Sequence, residues 1–167
     1  VNIGGDIGVT TNRHLGSLTI NSADGSGNTG TIEVEDIGVS NTDGGVDGNI
    51  TIGNANTSQI TFDGALYSLG GTGNLTVQSA SGEKILFTKA AAVEIKTTGS
   101  DSGTVTFEDG AIQLADATPL TINTLGGAVS IHSVYGEASA DEDLTINANH
   151  ANDSTDSDAE DTETITI

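Results

Sequence analysis

The chain contains no cysteine, methionine or tryptophan, and its only proline is Pro119. Without cysteine, disulfide staples and thiolate metal sites are excluded. Aromatic residues make up 3% of the chain, so a core must be built from Val, Ile, Leu and Ala. That palette suits thin, repeated layers better than a thick globular interior. Positive charge is equally scarce: four Lys and Arg stand against 24 Asp and Glu, for a formal net charge of −20. Nucleic acid and anionic membrane surfaces both require positive charge and are excluded as partners. All four basic residues (Arg13, Lys84, Lys89, Lys96) fall in the first 96 positions, and fourteen acidic residues follow Lys96. No apolar run approaches the ~18 residues of a membrane-spanning helix, so membrane insertion is not expected. The chain opens at Val1 without an initiator Met or a signal peptide, and reads as a processed product or an excised segment.

What the sequence has in quantity is glycine, 23 residues of 167, without the three-residue period of collagen. Glycine repeatedly introduces one short phrase. It reads Gly48-Asn49-Ile50-Thr51-Ile52 and returns as Gly73-Asn74-Leu75-Thr76-Val77. Looser copies begin at Gly16, Gly103 and Gly127, and copies without the glycine end at Ile146 and Ile167. A turn residue followed by apolar, hydroxyl, apolar is a short strand with one buried face. Gly and Asn before each strand suit corners that need positive φ.

Between copies of the phrase lie two further strand-like pieces. Leu75-Thr76-Val77, for example, is followed by Ile85-Leu86-Phe87 and Val93-Glu94-Ile95 before the phrase returns at Val105. Three short strands and a Gly-rich turn, repeated at roughly 24 to 32 residues, are the size of one repeat unit. The predicted fold is therefore all-β, a right-handed parallel β-helix (solenoid) of about five coils over residues 1–146. An antiparallel β-sandwich or jelly roll is the alternative. A parallel ladder between 50–52 and 75–77 distinguishes the two. Phe62, Phe87 and Phe107 sit at inward ends of strand triplets and are assigned to the core. Helix signals are nearly missing; the best stretch is Glu83 to Lys96, which could hold one turn around Lys89 to Ala92. Residues 147–167 read as an acidic tether with a terminal strand, Ile165-Thr166-Ile167, that pairs on its own sheet or, as the favoured expectation, with another subunit.

Calcium is the candidate cofactor, because hard cations take oxygen ligands. The run holding Asp153, Asp156, Asp158, Glu160 and Asp161 alternates acids as a calcium loop does. The loop Asp43-Gly44-Gly45-Val46-Asp47 resembles a fragment of the glycine-rich calcium repeat. A solvated acidic loop is the favoured account of either run. Sequons at Asn49, Asn56, Asn74 and Asn152 are candidate glycosylation sites, although Asn is also a natural corner residue. His14, His132 and His150 are isolated, and no nucleophile elbow is present, so no catalytic residue is expected. Glu33, Glu35 and Asp36 form the one acidic group that could serve a polysaccharide-degrading β-helix, but the cations such an enzyme needs for uronates are scarce.

Laid out this way, residues 16–146 resemble in style the β-helical stalk and passenger regions of large secreted bacterial adhesins, filamentous haemagglutinin-like or autotransporter-like. The resemblance is one of composition and phrase. It implies an extracellular or cell-surface location and a non-catalytic role as a stalk, fibre or surface-layer building block. The expected function is a structural subunit that self-assembles into a filament or layer by β-strand edge pairing, with copies of itself as partners. One alternative is a non-polymerising adhesin segment that binds carbohydrate or a host surface; the other is the polysaccharide-degrading enzyme.

Overall fold

A computed structural model describes residues 1–8, 14–22, 30–38, 45–98, 103–137, 142–148 and 165–167. Among these residues every strand ladder is parallel and no helix occurs. The strands wind through three faces in turn. Four turns carry a strand on every face. The first of them holds β5 (Thr57–Phe62), β6 (Leu66–Leu69) and β7 (Leu75–Gln78). Next come β8 (Lys84–Phe87), β9 (Val93–Thr97) and β10 (Val105–Glu108), then β11 (Ala111–Leu114), β12 (Leu120–Asn123) and β13 (Val129–Ile131). The last comprises β14 (Val134–Gly136), β15 (Leu144–Asn147) and β16 (Ile165–Thr166). The architecture is the expected parallel β-solenoid, and the antiparallel alternative is ruled out. The deciding ladder is present: Ile50 pairs with Leu75, Thr51 with Thr76 and Ile52 with Val77, all parallel.

Two further turns precede these four. They contribute β1 (Asn2–Ile3) and β3 (Gly30–Val34) to the first face, and β2 (Leu18–Ile20) and β4 (Ile50–Gly53) to the third. On the second face the described residues of these turns form single bridges, Ile7 to Ile37 to Tyr67 and Leu15 to Val46 to Leu69. Tyr67 and Leu69 lie two residues apart in β6, whereas their counterparts are Ile37 and Val46, or Ile7 and Leu15. A strand is thus split by an insertion in each early turn. The Glu83 to Lys96 stretch contains β8 and β9, with bends rather than a helical turn at 90–91. Its β-branched residues serve inward sheet positions better than a helix.

The ladders stack like residues on like. On the third face Ile50, Leu75, Val105 and Val129 form one inward column, and Ile52, Val77, Phe107 and Ile131 another. All of them are buried. Four of the five aromatics meet in the core. Phe62 and Phe87 stack in consecutive turns with centroids 4.8 Å apart. Phe107 approaches Phe87 edge-on from the third face at 6.2 Å, and Tyr67 approaches Phe62 from the second at 4.8 Å. Offset and edge geometries are those the ring quadrupole favours.

Tyr67 is fully buried. Its hydroxyl donates to the carbonyl of Val34 at 3.2 Å and accepts from the Gly64 N–H at 2.8 Å. Burial pushes its phenol far above the ordinary range, and the nearby carboxylates of Asp36, Glu35 and Asp63 act in the same direction.

The corner that precedes the recurring phrase has a different origin from the one its residues suggest. Gly48, Gly73 and Gly103 do not have positive φ. A Cβ on Gly48 would run into the carbonyl oxygen of Gly16, one on Gly73 into that of Gly48, and one on Gly103 into that of Gly73. Glycine is needed there because successive turns touch backbone to backbone. The asparagines also act between turns. Asn49 Oδ1 accepts the N–H of Asn74 at 3.0 Å. Asn74 Oδ1 accepts the N–H of Thr104 at 2.7 Å. The left-handed positions are elsewhere, at glycines such as Gly53 and Gly82 and at the non-glycine residues Asp109 and Ala117.

Candidate functional site

The recurring phrase alternates inward and outward residues, so each ladder also builds an outer rank. On the third face that rank runs Thr19, Thr51, Thr76, Thr106, Ser130 and Thr166 in continuous register. None of these hydroxyls has a side-chain hydrogen-bond partner among the described residues. No ionisable residue interrupts the rank. The outer ranks of the first and second faces are mixed, with Glu33, Leu86 and Tyr135 on one and Glu94 on the other.

The two ends of the solenoid differ from its flanks. At one end the outer edges of β1 and β2 have no strand beyond them, and at the other the outer edges of β14, β15 and β16 have none, among the described residues. A row of unpaired N–H and C=O groups is a template for another strand. Among the described residues the exposed large hydrophobic ones are Val1 and Leu15 at the first end and Tyr135 and Ile167 at the last. The partly buried apolar residues that pack on the core are Ile3, Ile7 and Leu18 in the first turn and Val134, Leu144 and Ile146 in the last. Apolar surface is concentrated where strands are missing. The only trace of this set in the sequence is at the first end, where Val1-Asn2-Ile3 and Ile7 are short apolar pieces in glycine-rich surroundings.

The terminal strand Ile165-Thr166 lies on its own chain. Ile165 pairs with Val129 and Thr166 with Ser130, in parallel. It thereby extends the third face by one rung and presents a new free edge, with Ile167 71% exposed beyond it.

Of the candidate calcium ligands, Asp43, Asp153, Asp156, Asp158, Glu160 and Asp161 lie outside the described residues. Asp47 is described and exposed, with its Oδ1 2.7 Å from Nδ1 of His14 in the preceding turn. Among the described residues no three His, Asp or Glu side chains are gathered as a metal site. Asn49 and Asn74 are exposed at the corner ladder, Asn56 is half-buried, and Asn152 lies outside the described residues.

Two of the acidic trio are engaged by different turns. Glu33 accepts a hydrogen bond from Asn2 Nδ2 at 2.9 Å. Asp36 Oδ1 accepts the N–H groups of Ala65 and Leu66, at 2.6 and 2.9 Å. The Asp36 carboxylate therefore ties one turn to the next, a role its local sequence does not reveal. His132 is exposed and borders an open groove with Glu108 and Asp109. No protein-family model matches the chain, and neither the curated proteins nor the solved structures include one similar to it.

Proposed function

We propose that the chain is a structural building block of the cell surface that assembles end on end, by parallel strand addition, into a filament or layer. The observation that carries this reading is the coincidence of unpaired strand edges with apolar surface at both ends of the solenoid. Stacking the last turn of one copy on the first turn of the next continues the existing ladders. In that register Ile146 falls beside Ile7 of the next copy, and Thr166 beside its Thr19. The contact is heterologous and stacks copies along the solenoid axis, so it propagates instead of closing. Both ends carry acidic residues, among them Asp6 and Glu33 at one and Glu137, Glu142 and Asp143 at the other. Screening by salt, or calcium bound by the acidic segment, relieves the repulsion. The role is non-catalytic, and the resemblance to adhesin stalks, with a cysteine-free, Thr-, Asn- and Gly-rich composition, supports an extracellular setting.

Electron micrographs of the purified chain at high salt test this directly. Fibres or sheets one solenoid wide are expected. Isolated particles at high concentration, with and without calcium, contradict it. A second reading, a non-polymerising segment that binds carbohydrate, is favoured by the uncharged hydroxyl rank of the third face; glycan binding by a monomer would establish it instead.

A further inference from the structure

The connection leading to β16 is far longer than its path requires. Asn123 pairs with Asn147 and Val129 pairs with Ile165, so the same corner is crossed twice, one rung apart. The upper crossing, from Asn123 to Val129, takes six residue steps, and the lower, from Asn147 to Ile165, takes eighteen. The equivalent corners from Ser68 to Leu75 and from Lys96 to Val105 take seven and nine. Twelve residues of the last connection are therefore surplus to a return home. Residues 149–164 hold six acidic residues and no Lys or Arg. Eighteen steps can span at most ~60 Å, against roughly 24 Å between the first and last rungs of the solenoid.

We infer that β16 is an exchangeable strand: the free edge of β13 takes either the chain's own Ile165-Thr166 or the same segment of a second copy. The slot is the same in both cases, since its hydrogen-bond register to Val129 and Ser130 is set by β13. A tethered strand and its slot see an effective concentration set by linker length, and lengthening the tether lowers it. Neighbouring copies held close in an assembly then compete with the home slot. This inference rests on the self-assembly reading, and it adds a cross-link that needs no end-on contact.

The absence of cysteine allows a clean test. Ser130 and Thr166 are register partners on adjacent strands, a separation at which engineered cysteines form a disulfide. One full-length chain carries Ser130→Cys alone and a second carries Thr166→Cys alone. Mixed under the salt conditions that favour assembly and then oxidised, they are expected to give a disulfide-linked heterodimer. Deleting twelve residues, 151–162, from both chains leaves a six-step connection and is expected to lower the heterodimer at least tenfold. A chain carrying both cysteines should close its own disulfide with either linker, which reports that the slot is folded. Absence of the heterodimer while the double-cysteine chain closes its disulfide overturns the exchange. So does a heterodimer yield unchanged by the deletion. Sedimentation of the same samples separates the two claims: oligomers without the heterodimer leave end-on assembly standing, whereas loss of both removes both.

Discussion

The carbonyl oxygen of Gly48 occupies the space that a Cβ on Gly73 would need. The same contact links Gly16 to Gly48 and Gly73 to Gly103, so one corner of the solenoid is a column of backbone against backbone. Gly16 begins the column, and an added Cβ there meets nothing within 4 Å.

Gly73→Ala is therefore expected to destabilise the fold by about 3 kcal/mol or more, at the upper end of the cost of overpacking. Gly16→Ala should change stability by less than about 0.5 kcal/mol, as a surface substitution with no neighbour does. Chemical denaturation of the two variants checks the pair. Equal effects would mean that glycine is present for backbone freedom and not for close approach. A bulky residue at the same position, Gly16→Trp, should leave the fold intact and block end-on stacking.

Tyr67 gives a prediction for alkaline conditions. Its phenol is raised in the folded chain and titrates near pH 10 when unfolded. The folded state thus holds its proton where the unfolded state releases it, and stability falls as pH rises above about 10. In a Tyr135→Phe background, tyrosinate absorbance should appear together with unfolding and not before it. Tyr67→Phe should remove this dependence. It should also cost about 1–3 kcal/mol at neutral pH, because the Gly64 N–H and Val34 carbonyl lose their buried partner.

Assembly should depend on salt. Carboxylates at both ends repel across the end-on contact, and their reach shrinks from about 10 Å at 0.1 M salt to about 3 Å at 1 M. Sedimentation should show the oligomer fraction rising over that range. Calcium should add to it at matched ionic strength, and a chelator should reverse the increment. An oligomer indifferent to both would remove the electrostatic part of the account.

Much of this fold is legible in the sequence. Ile50-Thr51-Ile52 and Leu75-Thr76-Val77 announce their register because a period of two within each strand recurs at the repeat length, so equivalent residues must stack. Phe62 and Phe87 are assigned to the core on the same ground. What escapes the sequence acts across turns. Asp36 holds N–H groups 29 and 30 residues away, and the hydroxyl of Tyr67 reaches the Val34 carbonyl 33 residues back, with no local pattern at either position. The phrase glycines are recognisable, but their cause is not, because a positive-φ corner and a close approach both select glycine. The insertions that split the second face in the early turns hide its strands for the same reason: Ile37 and Val46 are equivalent to Tyr67 and Leu69 only in space. Of the candidate site, open ends follow from any solenoid, whereas the clustering of exposed apolar residues there emerges only once burial is known.

End-on assembly makes one residue pair from different copies into neighbours. Thr19 marks the free edge of β2 and Thr166 the free edge of β16, and continuing the third-face rank places them side by side. The decisive measurement mixes a chain carrying Thr19→Cys with one carrying Thr166→Cys, oxidises the mixture at high salt, and resolves the products under non-reducing conditions. Stacking in the continuing register predicts a prominent disulfide-linked heterodimer that disappears when Gly16→Trp is added to the Thr19→Cys chain. A mixture that stays monomeric, or a heterodimer indifferent to Gly16→Trp, would contradict assembly by parallel addition at these edges.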